Sequence, residues 1–144
     1  MKLRRMADPD DLRLAAKLGV KEGARLVLLN APAGFELALP AGVTLRTRLG
    51  GRADVALAFF TVRSRLQARA TALGAMAYPA GGTWVAWPKR SSGVPTDLTD
   101  DEVRTVLLPL GLVDNKVCAI DGTWSALRFV WRTERRTAAL SPSP

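Results

Sequence analysis

Two stretches of this chain end an apolar run in polar and aromatic side chains. They are Gly81–Lys89 (Gly-Gly-Thr-Trp-Val-Ala-Trp-Pro-Lys) and Lys116–Ser125 (Lys-Val-Cys-Ala-Ile-Asp-Gly-Thr-Trp-Ser). A buried strand that breaks off in such a cluster is where an α/β protein places a binding site. Lys89, Ser91 and Ser92, beside Gly93, could hold an anion through charge and hydroxyl donors, or form a solvated loop. Asn30 can donate and accept hydrogen bonds, while Pro32 and Gly34 shape the turn after it and let a backbone approach closely. Asp121 is either a ligand acceptor or the first residue of a tight turn, and Trp124 either a stacking platform or a packing aromatic. These eight residues are the candidate ligand-binding set.

The chain contains no histidine. Ser-His-Asp and Cys-His catalysis, His-ligated metal sites and imidazole proton shuttling are therefore excluded together. Any acid or base must come from Asp, Glu, Lys, Tyr78 or Cys118. Cys118 is the only cysteine, so neither an intrachain disulfide nor a cysteine-based zinc site can form, and it reads as a small buried apolar side chain. The glycine-rich Pro79–Gly82 segment lacks the spacing and lysine of a P-loop. No catalytic residue, metal or cofactor is expected.

The formal net charge is +8. A basic surface attracts small anions, nucleotides, nucleic acid and acidic proteins. Arginines gather at Arg46/Arg48/Arg52, Arg63/Arg65/Arg69 and Arg132/Arg135/Arg136, but without interleaved aromatics, which ranks nucleic acid below a small anion, nucleotide or protein partner. No apolar stretch approaches the roughly 18 residues of a membrane span, and the start of the chain lacks a signal-peptide core, so the expected location is cytoplasmic.

The positioning elements follow from local pattern. Asp8-Pro9 opens a first helix that Gly19 closes. Arg25–Asn30, Asp54–Phe60 and Thr83–Trp87 are apolar without alternation, as in strands covered on both faces, while Val43–Thr47 alternates like a shorter edge strand. Phe35–Leu39 is too short for a crossover helix. Thr61 is placed as N-cap of a helix reaching about Met76, with Leu66, Ala70 and Leu73 on its inner stripe. Thr99-Asp-Asp-Glu102 matches a capping box. Leu112–Ile120, a turn at Asp121-Gly-Thr and Trp124–Arg132 form an antiparallel hairpin. The order predicts an α/β three-layer Rossmann-like domain over residues 1–132, with a mostly parallel sheet and a C-terminal antiparallel hairpin, and a disordered tail over 133–144. The loops after the first and third central strands and the hairpin should then meet at the carboxyl edge of the sheet.

Lys17–Gly23, Leu29–Phe35, Gly82–Lys89, Thr96–Leu98 and Gly111–Phe129 together resemble segments of the bacterial DUF3052 family, over about Ala15 to Arg132. That resemblance implies a small cytoplasmic bacterial protein and carries no catalytic residues with it. The order of elements, with a helix ending Leu110-Gly-Leu before a terminal hairpin, is also similar to the C-terminal half of class I S-adenosylmethionine-dependent methyltransferases. Those enzymes have a Gly-x-Gly-x-Gly turn after the first strand and an acidic residue ending the second. Here the turn is Asn30-Ala-Pro-Ala-Gly34, and the second strand ends around Arg46 to Arg48. The leading expectation is a non-catalytic binding or regulatory module. The alternatives are a divergent methyltransferase-like transferase with Asp121 or Asp97 as base and Lys89 orienting substrate, and a nucleic-acid-binding protein.

Overall fold

The computed structural model describes residues 2–4 and 11–140. Its centre is a six-stranded sheet built from β2 (Arg25–Leu29), β4 (Thr44–Arg46), β5 (Val55–Phe59), β6 (Gly82–Pro88), β7 (Leu112–Ala119) and β8 (Trp124–Trp131). The spatial order is β4-β2-β5-β6-β8-β7. β4, β2, β5 and β6 run parallel, and β8 inserts antiparallel between β6 and β7. The fold is thus the expected mixed α/β type with a mostly parallel sheet. The missing alternation has its expected cause, since every residue of β5 and β6 is buried.

Successive side chains of a strand point to opposite faces, and the core divides accordingly. Leu26, Leu28, Leu57, Phe59 and Trp84 pack beneath α1 (Arg13–Leu18). Val27, Ala56, Ala58, Val85 and Trp87 pack beneath α2 (Arg63–Ala77) and α3 (Asp100–Leu107). Trp84 and Trp87 therefore share no aromatic box. Gly19 closes α1 at φ 84° with its N–H donating back to Ala15 and Ala16. The Trp84 indole N–H donates to the Leu18 carbonyl at 2.9 Å, which pins the helix end to the sheet. The Asp8-Pro9 opening lies outside the described residues, and among those described Leu12 occupies the cap position without a side-chain bond.

Three local expectations change. Thr61 does not cap α2. The cap position is Val62, and Asp97, distant in sequence, accepts from the Arg63 N–H at 2.7 Å. A carboxylate is the stronger partner for an exposed helix amide, and the Thr96 hydroxyl, bonded to the Thr61 carbonyl at 2.6 Å, holds the two segments together. The capping box at α3 is half formed. The Thr99 hydroxyl accepts from the Glu102 N–H at 3.2 Å, while the Glu102 carboxylate lies 2.7 Å from the Arg63 guanidinium on α2. Residues 36–38 are strand β3 (Glu36–Ala38), paired in parallel with β1 (Lys2–Arg4) as a separate ribbon.

The segment expected as a disordered tail is helical over α4 (Thr133–Leu140), and 141–144 lie outside the described residues. Tertiary contacts supply what the sequence pattern lacks. The Tyr78 hydroxyl donates to the Arg135 carbonyl at 3.0 Å, and in β8, just ahead of the helix, the Trp131 indole N–H donates to the Gly74 carbonyl of α2 at 2.9 Å.

At the amino edge of the sheet Asp54 clamps β2. Its carboxylate accepts from the Arg25 backbone N–H at 2.7 Å and from the Arg25 guanidinium at 2.9 Å. These hydrogen bonds hold its carboxyl below the usual carboxylate range. A lowered folded-state value means that the contribution is complete above the unfolded carboxylate pKa, about 3.9, and is lost as pH falls below it. Asp54→Asn should lower the melting temperature at pH 7, and thermal melts should show the gap to the parent protein closing as the pH is taken down through that range. Trp84→Phe should keep most of the packing and leave the Leu18 carbonyl without its donor, a loss of about 1–3 kcal/mol measurable by urea unfolding.

Candidate functional site

Because β2, β5 and β6 are parallel, their carboxyl ends fall along one edge, and the hairpin between β7 and β8 arrives at the same edge. Pro88 faces Trp124 in the β6–β8 ladder, and the Lys89 N–H donates to the Thr123 carbonyl at 2.7 Å. The turn after β2 joins them on the other side, where the Asn30 side-chain amide donates to the Phe59 carbonyl at 3.3 Å. The three segments expected to converge do so.

At this edge a crevice of about 310 Å³ opens between the turn after β2, the β5–α2 junction and the hairpin, lined by Asn30, Pro32, Phe59, Phe60, Thr61, Arg65 and Trp124, with no residue of the loop after β6 in its lining. Three of its sequence-derived residues, Asn30, Pro32 and Trp124, thus share one hollow. Asn30 sits at φ 58°, a left-handed conformation that asparagine tolerates, and this turns the chain sharply off the end of β2. Gly34 completes the turn at φ +79° without lining the crevice. Phe59 meets Trp124 edge-on with ring centroids 5.1 Å apart, and Phe35 also packs edge-on against Phe59 at 5.1 Å. Trp124 is accordingly a packing aromatic that also forms a wall.

The remaining candidates serve the loops that carry them. Lys89 donates through Nζ to the Asp121 carbonyl at 2.8 Å, which ties the β6 loop to the hairpin. Asp121 Oδ1 accepts from the Thr123 N–H at 2.8 Å and the Trp124 N–H at 2.9 Å, an Asx-type turn. Ser92 donates to the Lys89 carbonyl at 2.6 Å and accepts from the Val94 N–H at 3.2 Å. Ser91 is exposed in the same short 3₁₀ turn, and neither serine lines the crevice. The bases considered for an enzyme, Asp121 and Asp97, are both engaged in backbone amides, and Lys89 is spent on a carbonyl. The structure does not place them as reacting groups.

Sequence reasoning missed Arg65, whose position on the first turn of α2 brings a cation to the crevice. Its signal was the Arg63/Arg65 pair directly after the second central strand. A larger hollow, about 750 Å³, lies beside α3 between Trp87, Arg90, Val94, Arg104 and Val117. There Arg104 is held by Asp100, Asp101 and Asp114 at 3.3, 3.2 and 3.0 Å. The arginine clusters are partly internal as well, since Arg46 closes its own loop on the carbonyls of Gly50 and Arg52. Burial raises the Cys118 thiol pKa, with nearby Lys17 opposing, which suits the inert apolar role read from the sequence. Asp121→Asn should keep the hairpin and its stability, because an amide oxygen accepts the same two N–H groups. Asp121→Ala should cost about 1 kcal/mol, and unfolding curves of the two variants read the difference.

No family model matches the chain, and no curated protein does. Solved structures do. An S-adenosylmethionine-dependent methyltransferase from Aquifex aeolicus is 14% identical, with a TM-score of 0.58 over 85% of this chain and 93% of that one. Magnesium protoporphyrin IX methyltransferase from Synechocystis with bound S-adenosylmethionine is 12% identical, with a TM-score of 0.59 over 85% of this chain and 76% of that one. Aeropyrum pernix fibrillarin with natively bound S-adenosylmethionine is 15% identical, with a TM-score of 0.53 over 83% of this chain and 74% of that one. These neighbours overturn the leading expectation of a non-catalytic module, because what the chain is similar to over most of its length is a set of methyltransferases and cofactor-bound proteins of that fold. At such identities the likeness speaks for architecture. The chain has the Rossmann-like fold of the class I methyltransferases.

Proposed function

We propose that this chain is a divergent methyltransferase-like transferase that works in the carboxyl-edge crevice around Asn30, Phe59 and Trp124. The observation that carries this reading is the position of the crevice, at the converging ends of parallel strands in a fold whose similar structures hold S-adenosylmethionine or its product.

The match to that ligand is one-sided. The turn 30–34 and the Phe59–Trp124 walls would hold a small ligand with a flat ring, and Asn30 Oδ1 has no hydrogen-bond partner among the described residues. In contrast, the turn has one glycine where three are usual, β4 ends on Arg46, and no carboxylate among the described residues lines the crevice. A missing charge-assisted acceptor weakens binding by about 1.5–3 kcal/mol, roughly ten- to a hundredfold. When bound, S-adenosylmethionine supplies an electrophilic methyl group. The chain contributes position and exclusion of water, and with no base among the described residues lining the crevice it suits an acceptor that is nucleophilic unaided. Arg65 favours one bearing negative charge.

The same reading takes the chain as a cytoplasmic bacterial protein akin to the DUF3052 family, supported by its sequence segments; no helix among the described residues is long and apolar enough to cross a membrane. Calorimetric titration with S-adenosylmethionine and S-adenosylhomocysteine is expected to give weak saturable binding, lost in Trp124→Ala. No heat from either ligand at about 1 mM, with the protein folded, would sink the proposal.

A further inference from the structure

At the opposite, amino edge of the sheet, Lys17, Lys21, Lys116 and Arg128 line one hollow of about 520 Å³. A second hollow of about 540 Å³ on the α1 face shares Lys17 and Lys116 with it and has Trp84 in its lining. The carboxylates beside the first are Glu22 and Asp54, and Asp54 is already bound to Arg25. The lining therefore carries an excess of positive charge.

Arg128 is the informative member. It is half-buried in β8, opposite Trp84 on one side and Lys116 on the other. Its one side-chain partner among the described residues is the Asn115 amide oxygen, at a long 3.4 Å. Burial lowers its pKa, with no carboxylate among the described residues opposing. Its guanidinium also lies against the backbone of Gly82, where an added Cβ would stand 2.5 Å from Nε. A side chain at position 82 would push the guanidinium away, so the residue that opens β6 keeps the cation seated. Holding a guanidinium partly out of water without a carboxylate is costly unless an anion completes the site.

We propose that this hollow is a second ligand site, taking the phosphate group of a small phosphorylated molecule, with Arg128 as the planar donor and Lys17, Lys21 and Lys116 as surrounding charges. Arginine offers paired N–H donors that match two phosphate oxygens, and lysines add point charge around them. A small ligand is favoured over a nucleic-acid strand because no exposed aromatic among the lining residues offers a stacking face: Trp84 is 1% exposed. The site lies at the other edge of the sheet from the methyltransferase-like crevice, and its fate is independent of that reading.

The test is titration of the full chain with pyrophosphate and with inorganic phosphate at low salt, followed by calorimetry. Saturable binding is expected, tighter for pyrophosphate, and weakened about tenfold or more by Arg128→Gln. The double variant Lys17→Gln/Lys21→Gln, at exposed positions that do not disturb the core, is expected to weaken it several-fold and so covers the case in which the Arg128 variant fails to fold. Absence of binding, or binding that the folded variants leave unchanged, overturns the proposal. Displacement of pyrophosphate by a single-stranded oligonucleotide would overturn the small-molecule assignment and give the same cations to a nucleic-acid backbone.

Discussion

The strand that runs backwards organises this molecule. β8 enters between β6 and β7, bonded to both, and its register places Trp124 against Pro88 at one end and Phe129 against Thr83 at the other. Everything at the carboxyl edge depends on that register. It brings the hairpin beside the β6 loop, lets Lys89 reach the Asp121 carbonyl, and stands Trp124 against Phe59. A slip of one residue would turn Ala126 and Arg128 to the α2 side and Leu127 to the other, exchanging a buried leucine for a guanidinium in the core.

The same strand sets the chemistry of the two edges apart. At the carboxyl edge of the sheet it contributes an aromatic wall and a turn whose polar atoms are consumed internally. At the amino edge it contributes Arg128, which the Gly82 backbone accommodates and no carboxylate among the described residues neutralises. One strand thus carries an apolar-walled crevice at one edge and a cationic hollow at the other. The methyltransferase-like likeness concerns the fold, and the departures from it concern the side chains. The turn after β2 is built on an asparagine in the left-handed region, and the end of β4 on an arginine that closes its own loop.

Local charge also does more structural work here than the +8 balance indicates. Asp97 caps α2 from across the chain, Glu102 spans to Arg63, and Arg104 gathers Asp100, Asp101 and Asp114. Such exposed pairs each add little to stability, typically under about 1 kcal/mol. Their consequence is geometric, since they fix how α2, α3 and the 89–99 loop lie together over one face of the sheet.

The sequence alone determined the buried strands, because continuous apolar runs such as Val55–Phe59 can only be covered on both faces, and it determined that their loops would share an edge. It also determined what chemistry is excluded, through the absence of histidine. It left open whether Asn30, Asp121 and Trp124 were ligand groups or structural ones, and whether residues 133–140 formed a helix. Those questions turn on partners remote in the chain. Asp121 is spent on amides because the turn closes on itself, Thr61 loses its cap to Asp97, and α4 forms where Tyr78 meets Arg135. Such engagements are visible only in the tertiary structure, since a side chain's free hydrogen-bonding capacity is known only after every neighbour has taken its share.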